Sequence, residues 1–234
     1  MKRVPAFRAG LKNAMNMKSY KLIAMMLVCW CVVGAQAQSL KQEGASVDEL
    51  VPEGWEYIEA LGDLDNDGIK DVALIATPDF KEHLTVRDDG YVYNFNQPIV
   101  AIYVGTPQGG YRLWKKYDAM LRIRDEYCSI DRTLEITDRH VLRISTEDFC
   151  SAGSYGTSQD TYSYRYQNGD FFLIGMEEVS LQRNTGEKET VSENYLTWKR
   201  QTIKDNVMEE KSHAKEKWSR LTKKPLEKLG EREL

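Results

Sequence analysis

Ten residues, Gly62-Asp63-Leu64-Asp65-Asn66-Asp67-Gly68-Ile69-Lys70-Asp71, restrict the fold more than any other stretch of this 234-residue chain. They run straight into an apolar segment, Val72-Ala73-Leu74-Ile75-Ala76. Carboxylates at relative positions 1, 3, 5 and 9 crowd four negative charges into one short loop, and like charges that close repel unless something compensates them. Gly68, at position 6, tolerates the backbone reversal that turns both arms of such a loop inward. The apolar segment shows no alternation, the pattern of a strand covered on both faces. Together they predict a tight acidic loop between two strands, the second of them deeply buried.

The oxygen-only donor set selects the ion. Calcium takes six to eight oxygens, which the carboxylates of Asp63, Asp65, Asp67 and Asp71, the carbonyl of Ile69 and a water can provide. Magnesium keeps several waters in a near-octahedral shell, so this many carboxylates disfavour it. Zinc and other transition metals call for His or Cys, and the loop contains neither. The competing interpretation is an ion-free turn whose Asp side chains cap local backbone amides. The start resembles an EF-hand, but position 12 is Leu74 where that motif needs a bidentate Glu, and the flanks read as strand.

The spacing D-x-D-x-D-G-x-x-D, followed by an apolar strand, resembles the calcium-binding loop of the FG-GAP and VCBS repeats of integrin alpha chains and exported bacterial proteins. The resemblance implies side-chain ligands at Asp63, Asp65, Asp67 and Asp71 and a carbonyl ligand at Ile69. That family repeats the loop around a propeller, which needs at least four four-stranded blades. Here it occurs once. The loop together with Tyr162-Ser163-Tyr164-Arg165-Tyr166-Gln167-Asn168-Gly169-Asp170-Phe171-Phe172-Leu173-Ile174-Gly175 is similar to small exported bacterial proteins carrying a single such loop. This resemblance implies export but brings no activity with it.

Residues 1–37 read as an export signal with a long n-region rather than as fold. Lys18 and Lys21 precede an uncharged segment at residues 22–33, and Ala35-Gln36-Ala37 is a small-x-small cleavage site, leaving Gln38 as the new N-terminus. The apolar segment falls short of the roughly 20 residues that a membrane-spanning helix needs. A lipoprotein signal fits poorly, because Cys29 follows Val28 and Cys31 follows Trp30. Removal of six basic and no acidic residues takes the formal charge from -4 to -10. An acidic, exported chain, periplasmic or extracellular, is a poor partner for nucleic acid or an anionic membrane. Of four cysteines, Cys128 and Cys150 remain, and an oxidising compartment makes them a candidate disulfide. Two separate buried thiols are the alternative.

Beyond the signal, the chain divides into a polar leader (38–50), a β-rich domain (51–203) and a charged tail (204–234). Strands are expected from Trp55 to Leu61 and Val72 to Thr77, with a turn-rich excursion over residues 79–96. Ile99 to Gly105 and Tyr111 to Lys116 flank the turn Thr106-Pro107-Gln108-Gly109-Gly110. Leu134 to Thr137 and Val141 to Thr146 flank another. In the clearest hairpin, Asn168-Gly169 supplies the positive φ values of a type I′ turn, which sets Tyr166 opposite Phe171 and Tyr164 opposite Leu173. That aromatic face is a core face or, as the sharper alternative, a sugar-binding platform. A further strand is expected at Ser192 to Trp198. Val207, Lys211, Ala214, Trp218 and Leu221 fall at helical spacing with a thin apolar stripe, so the tail is solvated or carries a short C-terminal helix. The fold class is mainly β: a compact antiparallel β-sheet domain with one FG-GAP-like strand-loop-strand unit.

For function, the acidic loop and the lack of a recognisable catalytic motif favour a calcium-stabilised binding or interaction module with a protein or glycan ligand. The alternative is an exported hydrolase acting on cell-envelope or glycan material. Cys150-Ser151-Ala152-Gly153-Ser154-Tyr155-Gly156 is the one stretch that suggests a nucleophile, but Ala152 stands where the G-x-S-x-G elbow needs Gly. His83, His140 and His213 are scattered, no phosphate-binding loop is present, and no catalytic residue is assigned. A carboxylate pair at glycosidase separation is a matter for three dimensions.

Overall fold

The computed structural model describes residues 38–123, 127–151, 153–209 and 214–234. The export signal read over residues 1–37 lies outside them. The protein is mainly β, with 54% strand and 4% helix among the described residues, and its sheets are antiparallel. Among the described residues no helix is long and apolar enough to cross a membrane.

The chain begins with β1 (Glu43–Gly44) and a single helical turn, α1 (Val47–Leu50). β2 (Glu56–Gly62) and β3 (Asp71–Thr77) follow, joined by the acidic loop. The excursion carries a 3-10 turn at Lys81–His83 and a small separate hairpin, β4 (Leu84–Val86) with β5 (Val92–Asn94). β6 (Ile99–Gly105) and β7 (Tyr111–Tyr117) form the next hairpin. These elements build a five-stranded sheet in the order β1-β7-β6-β3-β2.

β3 is buried on two sides, as its unbroken apolar run predicts. Ala73 and Ile75, with Val100 and Ile102 of β6, face the main core. Val72, Leu74 and Ala76, with Ala101 and Tyr103, face the other way. The second face has to be covered, and Leu40, Val47, Leu50, Val51 and Trp55 cover it. Residues 38–50 are therefore a packed lid on the sheet rather than a leader. Their few apolar residues are enough because each buried Leu or Val contributes about 1.5–3 kcal/mol. The backbone reinforces this: Lys41 N–H donates to the Leu50 carbonyl, and Leu113 N–H to that of Gln42. The Tyr103 hydroxyl donates to the carbonyl of Lys41 at 2.9 Å.

The rest of the chain is a seven-stranded meander: β8 (Cys128–Ile136), β9 (Val141–Cys150), β10 (Gly156–Gln167), β11 (Asp170–Gln182), β12 (Glu187–Asn194), β13 (Lys199–Asn206) and β14 (Lys215–Arg220). Neighbours in sequence are neighbours in the sheet, which curls into an open half-barrel. Asn168 and Gly169 take φ of 52° and 84°, as a type I′ turn requires. Tyr166 pairs with Phe171 and Tyr164 with Leu173, and a bulge between Ser163 and Tyr164 then shifts the register. The aromatic face is core: Tyr162, Tyr164, Phe171 and Leu173 are buried, and the Trp114 ring meets those of Tyr166 and Phe171 at 4.5 and 5.2 Å. It is no sugar platform.

The span expected as one strand, Ser192 to Trp198, holds only the end of β12 followed by a turn, with Trp198 at a φ of 57° and β13 starting at Lys199. The C-terminal region departs further from expectation. Residues 215–220 are not helical but pair with β13, and all six are exposed, Trp218 included. Ladder hydrogen bonds set this segment, because its thin apolar stripe offers a helix nothing to pack on. Lys211, the second position of that stripe, lies outside the described residues. The last residues are no tail either. Leu229 and Leu234 are buried in the main core, their N–H groups donating to the carbonyls of Phe171 and Met120. Residues Ser39–Leu234 form one compact unit.

Candidate metal centre

The loop that joins β2 to β3 brings Asp63, Asp65 and Asp71 together. One carboxylate oxygen from each lies within 4.8 Å of the others. Asp63 and Asp65 are half-buried and Asp71 is buried completely. The loop owes its shape to Asn66 and Gly68, at φ of 65° and 86°. A side chain at Gly68 would meet nothing within 4 Å, so it is the backbone angle that calls for glycine there.

Amides organise the carboxylates from within. Asp63 Oδ1 accepts from Asn66 N–H at 2.6 Å and Asp67 N–H at 3.2 Å, while its Oδ2 accepts from Gly68 N–H at 3.0 Å. Asp65 Oδ1 accepts from Asp67 N–H at 3.2 Å. These are the capping bonds of an acidic turn. They do not exhaust the oxygens, since an ionised carboxylate has about four acceptor sites. Among the described residues no lysine or arginine pairs with the three carboxylates. Their negative charge is left for a cation, and the donor set can hold a metal ion.

Asp71 is the anchor. It begins β3 opposite Gly62, with Oδ2 accepting from Leu64 N–H at 2.8 Å and Oδ1 from Gly105 N–H at 2.9 Å. Burial pushes its carboxyl above the ordinary range, and the two amides pull back against that rise. Asp65 is also raised, by burial first and then by the neighbouring charge of Asp67. Both shifts come first from burial, with the charges of neighbouring carboxylates adding to it.

Two other parts of the fold close on the loop, and neither was legible as part of it. Gly105, at the end of β6, lies so near that a Cβ there would sit 2.3 Å from the Lys70 carbonyl and 2.7 Å from Ile69 Cγ2. His140, at a φ of 57° in the β8–β9 turn, donates from Nδ1 to the Asp63 carbonyl at 2.7 Å, with Asp63 Oδ2 at 3.8 Å. The acidic loop thus touches both sheets. A histidine in the turn Asp138-Arg139-His140 was the available signal, but nothing in the sequence said what faced it.

Asp67 is not one of the three whose oxygens converge: it neighbours them but is exposed, and its Oδ1 accepts from Ile69 N–H at 2.7 Å. Ile69 sends its side chain toward Gly105. Cys128 and Cys150 are paired across β8 and β9 and joined as a disulfide, S–S 2.05 Å. Cys150 is therefore no nucleophile. Ser151 Oγ donates to the Tyr127 carbonyl, and Ser154 Oγ accepts from Gly156 N–H. His83 belongs to the 3-10 turn beside β4, and His213 lies outside the described residues. Compared with known proteins, the chain matches no family model, no curated sequence and no solved structure.

Proposed function

We propose that the loop from Asp63 to Asp71 binds calcium in the manner of FG-GAP and VCBS loops, and that the protein is an exported binding or interaction module stapled by that ion. The observation that carries this reading is the convergence of Asp63, Asp65 and Asp71, with no lysine or arginine paired to them among the described residues. Calcium's flexible shell of six to eight oxygens would be completed by Asp67, the Ile69 carbonyl and water. The ion's role is structural. His140 ties the loop to the seven-stranded sheet while Gly105 and Asp71 tie it to the five-stranded one. Gathering the carboxylates on a cation therefore tightens the junction of the two.

An ion bound by the folded state alone stabilises it by about 2.7 kcal/mol at 100 times its dissociation constant. Thermal melts in millimolar calcium, millimolar magnesium and chelator test the reading. Calcium should raise the melting temperature by several degrees and magnesium by much less, with the calcium increment gone in Asp65→Ala. An unchanged midpoint in calcium would sink it. Sequencing the N-terminus of the secreted protein tests export, with Gln38 as the expected first residue.

A further inference from the structure

The seven-stranded sheet carries a groove on the face turned away from the core. Leu142 and Ile144 of β9 point into the core, and Arg143 between them points out. On that outer face a groove of about 620 Å³ crosses the strands from β8 to β12. Its floor is small or apolar, formed by Val141, Ser163, Ile174 and Gly175, and Asn194 and Leu196 close one end. Gly175 lies directly opposite Ser163 and Asn194, and having no side chain it keeps the floor low.

Cations stand at both ends of it. Arg143 pairs with Ser163 across the ladder, which makes Arg165 its diagonal neighbour, and Arg139 lines the groove beside them. At the other end Asn194 pairs with Lys199, and Lys199 with Arg220. Residues directly opposed in an antiparallel pair share a face with their Cβ atoms about 5 Å apart, and like charges so placed destabilise the sheet. Among the described residues Arg139, Arg165, Lys199 and Arg220 have no acidic partner. Of the acids nearby, Glu135 is taken by Arg143 at 3.0 Å, Glu177 accepts from Ser192, and Asp138 sits beside Arg139 in the turn. None of these cations adjoins an undescribed segment, along the chain or across a ladder. They stand out in a chain whose formal charge is -4, and an anion laid along the groove would relieve their repulsion.

The course of the groove selects the kind of anion. It runs across the strands, where the backbone N–H and C=O groups beneath it are already paired in the ladders of β9 to β12. A peptide strand finds no free edge there, and the charged walls offer neither the apolar trough of an amphipathic helix nor the aromatic slot of a proline-rich segment. Among the described residues no aromatic ring lines it, so single-stranded nucleic acid has nothing to stack on. A linear sugar chain needs none of these. Its hydroxyls bond with Ser163 and Asn194, and its acidic groups take charge-assisted bonds from the arginines. With strands about 4.8 Å apart, the cations on β9 and β13 stand about 20 Å from each other, a span that a polymer with repeated charges can bridge. We infer that this groove binds a linear anionic polysaccharide. The inference rests on the binding-module reading and names its ligand.

The test is calorimetry on the chain from Gln38, in calcium and in chelator, with octasaccharides of hyaluronan and of heparin to separate carboxylate from sulfate. Maltooctaose, poly-glutamate and polyphosphate are the competing probes. At least one acidic octasaccharide should bind, more weakly as salt rises. Arg165→Gln and Lys199→Gln should each weaken it about tenfold. Neither substitution removes an ion pair, so the melting temperature should hold, or rise slightly in Lys199→Gln as the opposition to Arg220 is relieved. Binding by neither acidic octasaccharide, binding indifferent to either substitution, or equal binding of any competing probe overturns the proposal. A calcium-dependent melt without glycan binding defeats the groove inference alone. Acidic-glycan binding without any calcium effect on the melt defeats the calcium staple and leaves the groove standing.

Discussion

Asp71 has both carboxylate oxygens committed to backbone amides from two different parts of the chain, one of them 34 residues away. It therefore holds the loop together whether or not a cation is bound. Asp65, which accepts from Asp67 N–H within the loop itself, does not. The two residues should separate in one experiment. In chelator, Asp71→Ala should cost about 2–6 kcal/mol, because two buried N–H groups lose their acceptor at roughly 1–3 kcal/mol each. Asp65→Ala should cost little in chelator and lose only the calcium-dependent increment. Urea denaturation of both variants with and without calcium gives the comparison, and equal losses in chelator would refute the division. Spacing alone identified Asp63, Asp65, Asp67 and Asp71 as a converging set, of which Asp63, Asp65 and Asp71 come together. The Gly105 amide and His140 could not be seen that way, because their approach depends on strands far apart in sequence packing side by side.

At the scale of elements, the β10–β11 hairpin shows where local reading stops. Its inner part, Tyr162 to Gln167 and Asp170 to Ile174, was readable from the Asn-Gly turn and the apolar alternation. The outer part, residues 156–161 and 175–182, was not, since it is mostly polar and carries no burial pattern to read. It exists because the ladder of a curled sheet continues past the core. There Asp160 lies directly opposite Glu178, a like-charge pair. Burial, then Glu178 and Asp148, raise the Asp160 carboxyl above its ordinary value. A carboxyl raised on folding contributes stability that is fully present below the unfolded value, about 3.9. That contribution is lost as pH rises through the raised folded value. Asp160→Asn should therefore stabilise the protein at pH 7 by up to about 1 kcal/mol, the scale of one cross-strand pair. The gain should vanish near pH 3. Urea midpoints at the two pH values check it, and a variant less stable than the parent at pH 7 would contradict the assignment.

For the molecule as a whole, the decisive feature is that both ends of the described fold return to it. The N-terminal lid covers the outer face of the five-stranded sheet, and the C-terminal residues complete the core between the sheets. Leu229→Ala should cost about 2–5 kcal/mol, the range for deleting a buried leucine, rather than the near-zero effect of a change in a solvated tail. A thermal melt that leaves the midpoint unmoved would restore the tail reading. The sequence by itself determined what depends on neighbours a few residues apart. That includes the acidic loop and its reversal at Gly68, the two-sided burial of β3, the Asn-Gly hairpin with its register, and a mainly β class. Only the tertiary structure decided what covers β3, that His140 meets the Asp63 backbone, that Asp67 is not one of the three whose oxygens converge, and that residues 215–220 form a strand. Loop spacing and alternation act over a single turn or strand. Which faces are covered and which edges pair depends on segments tens of residues apart competing for the same apolar surface and the same backbone hydrogen bonds.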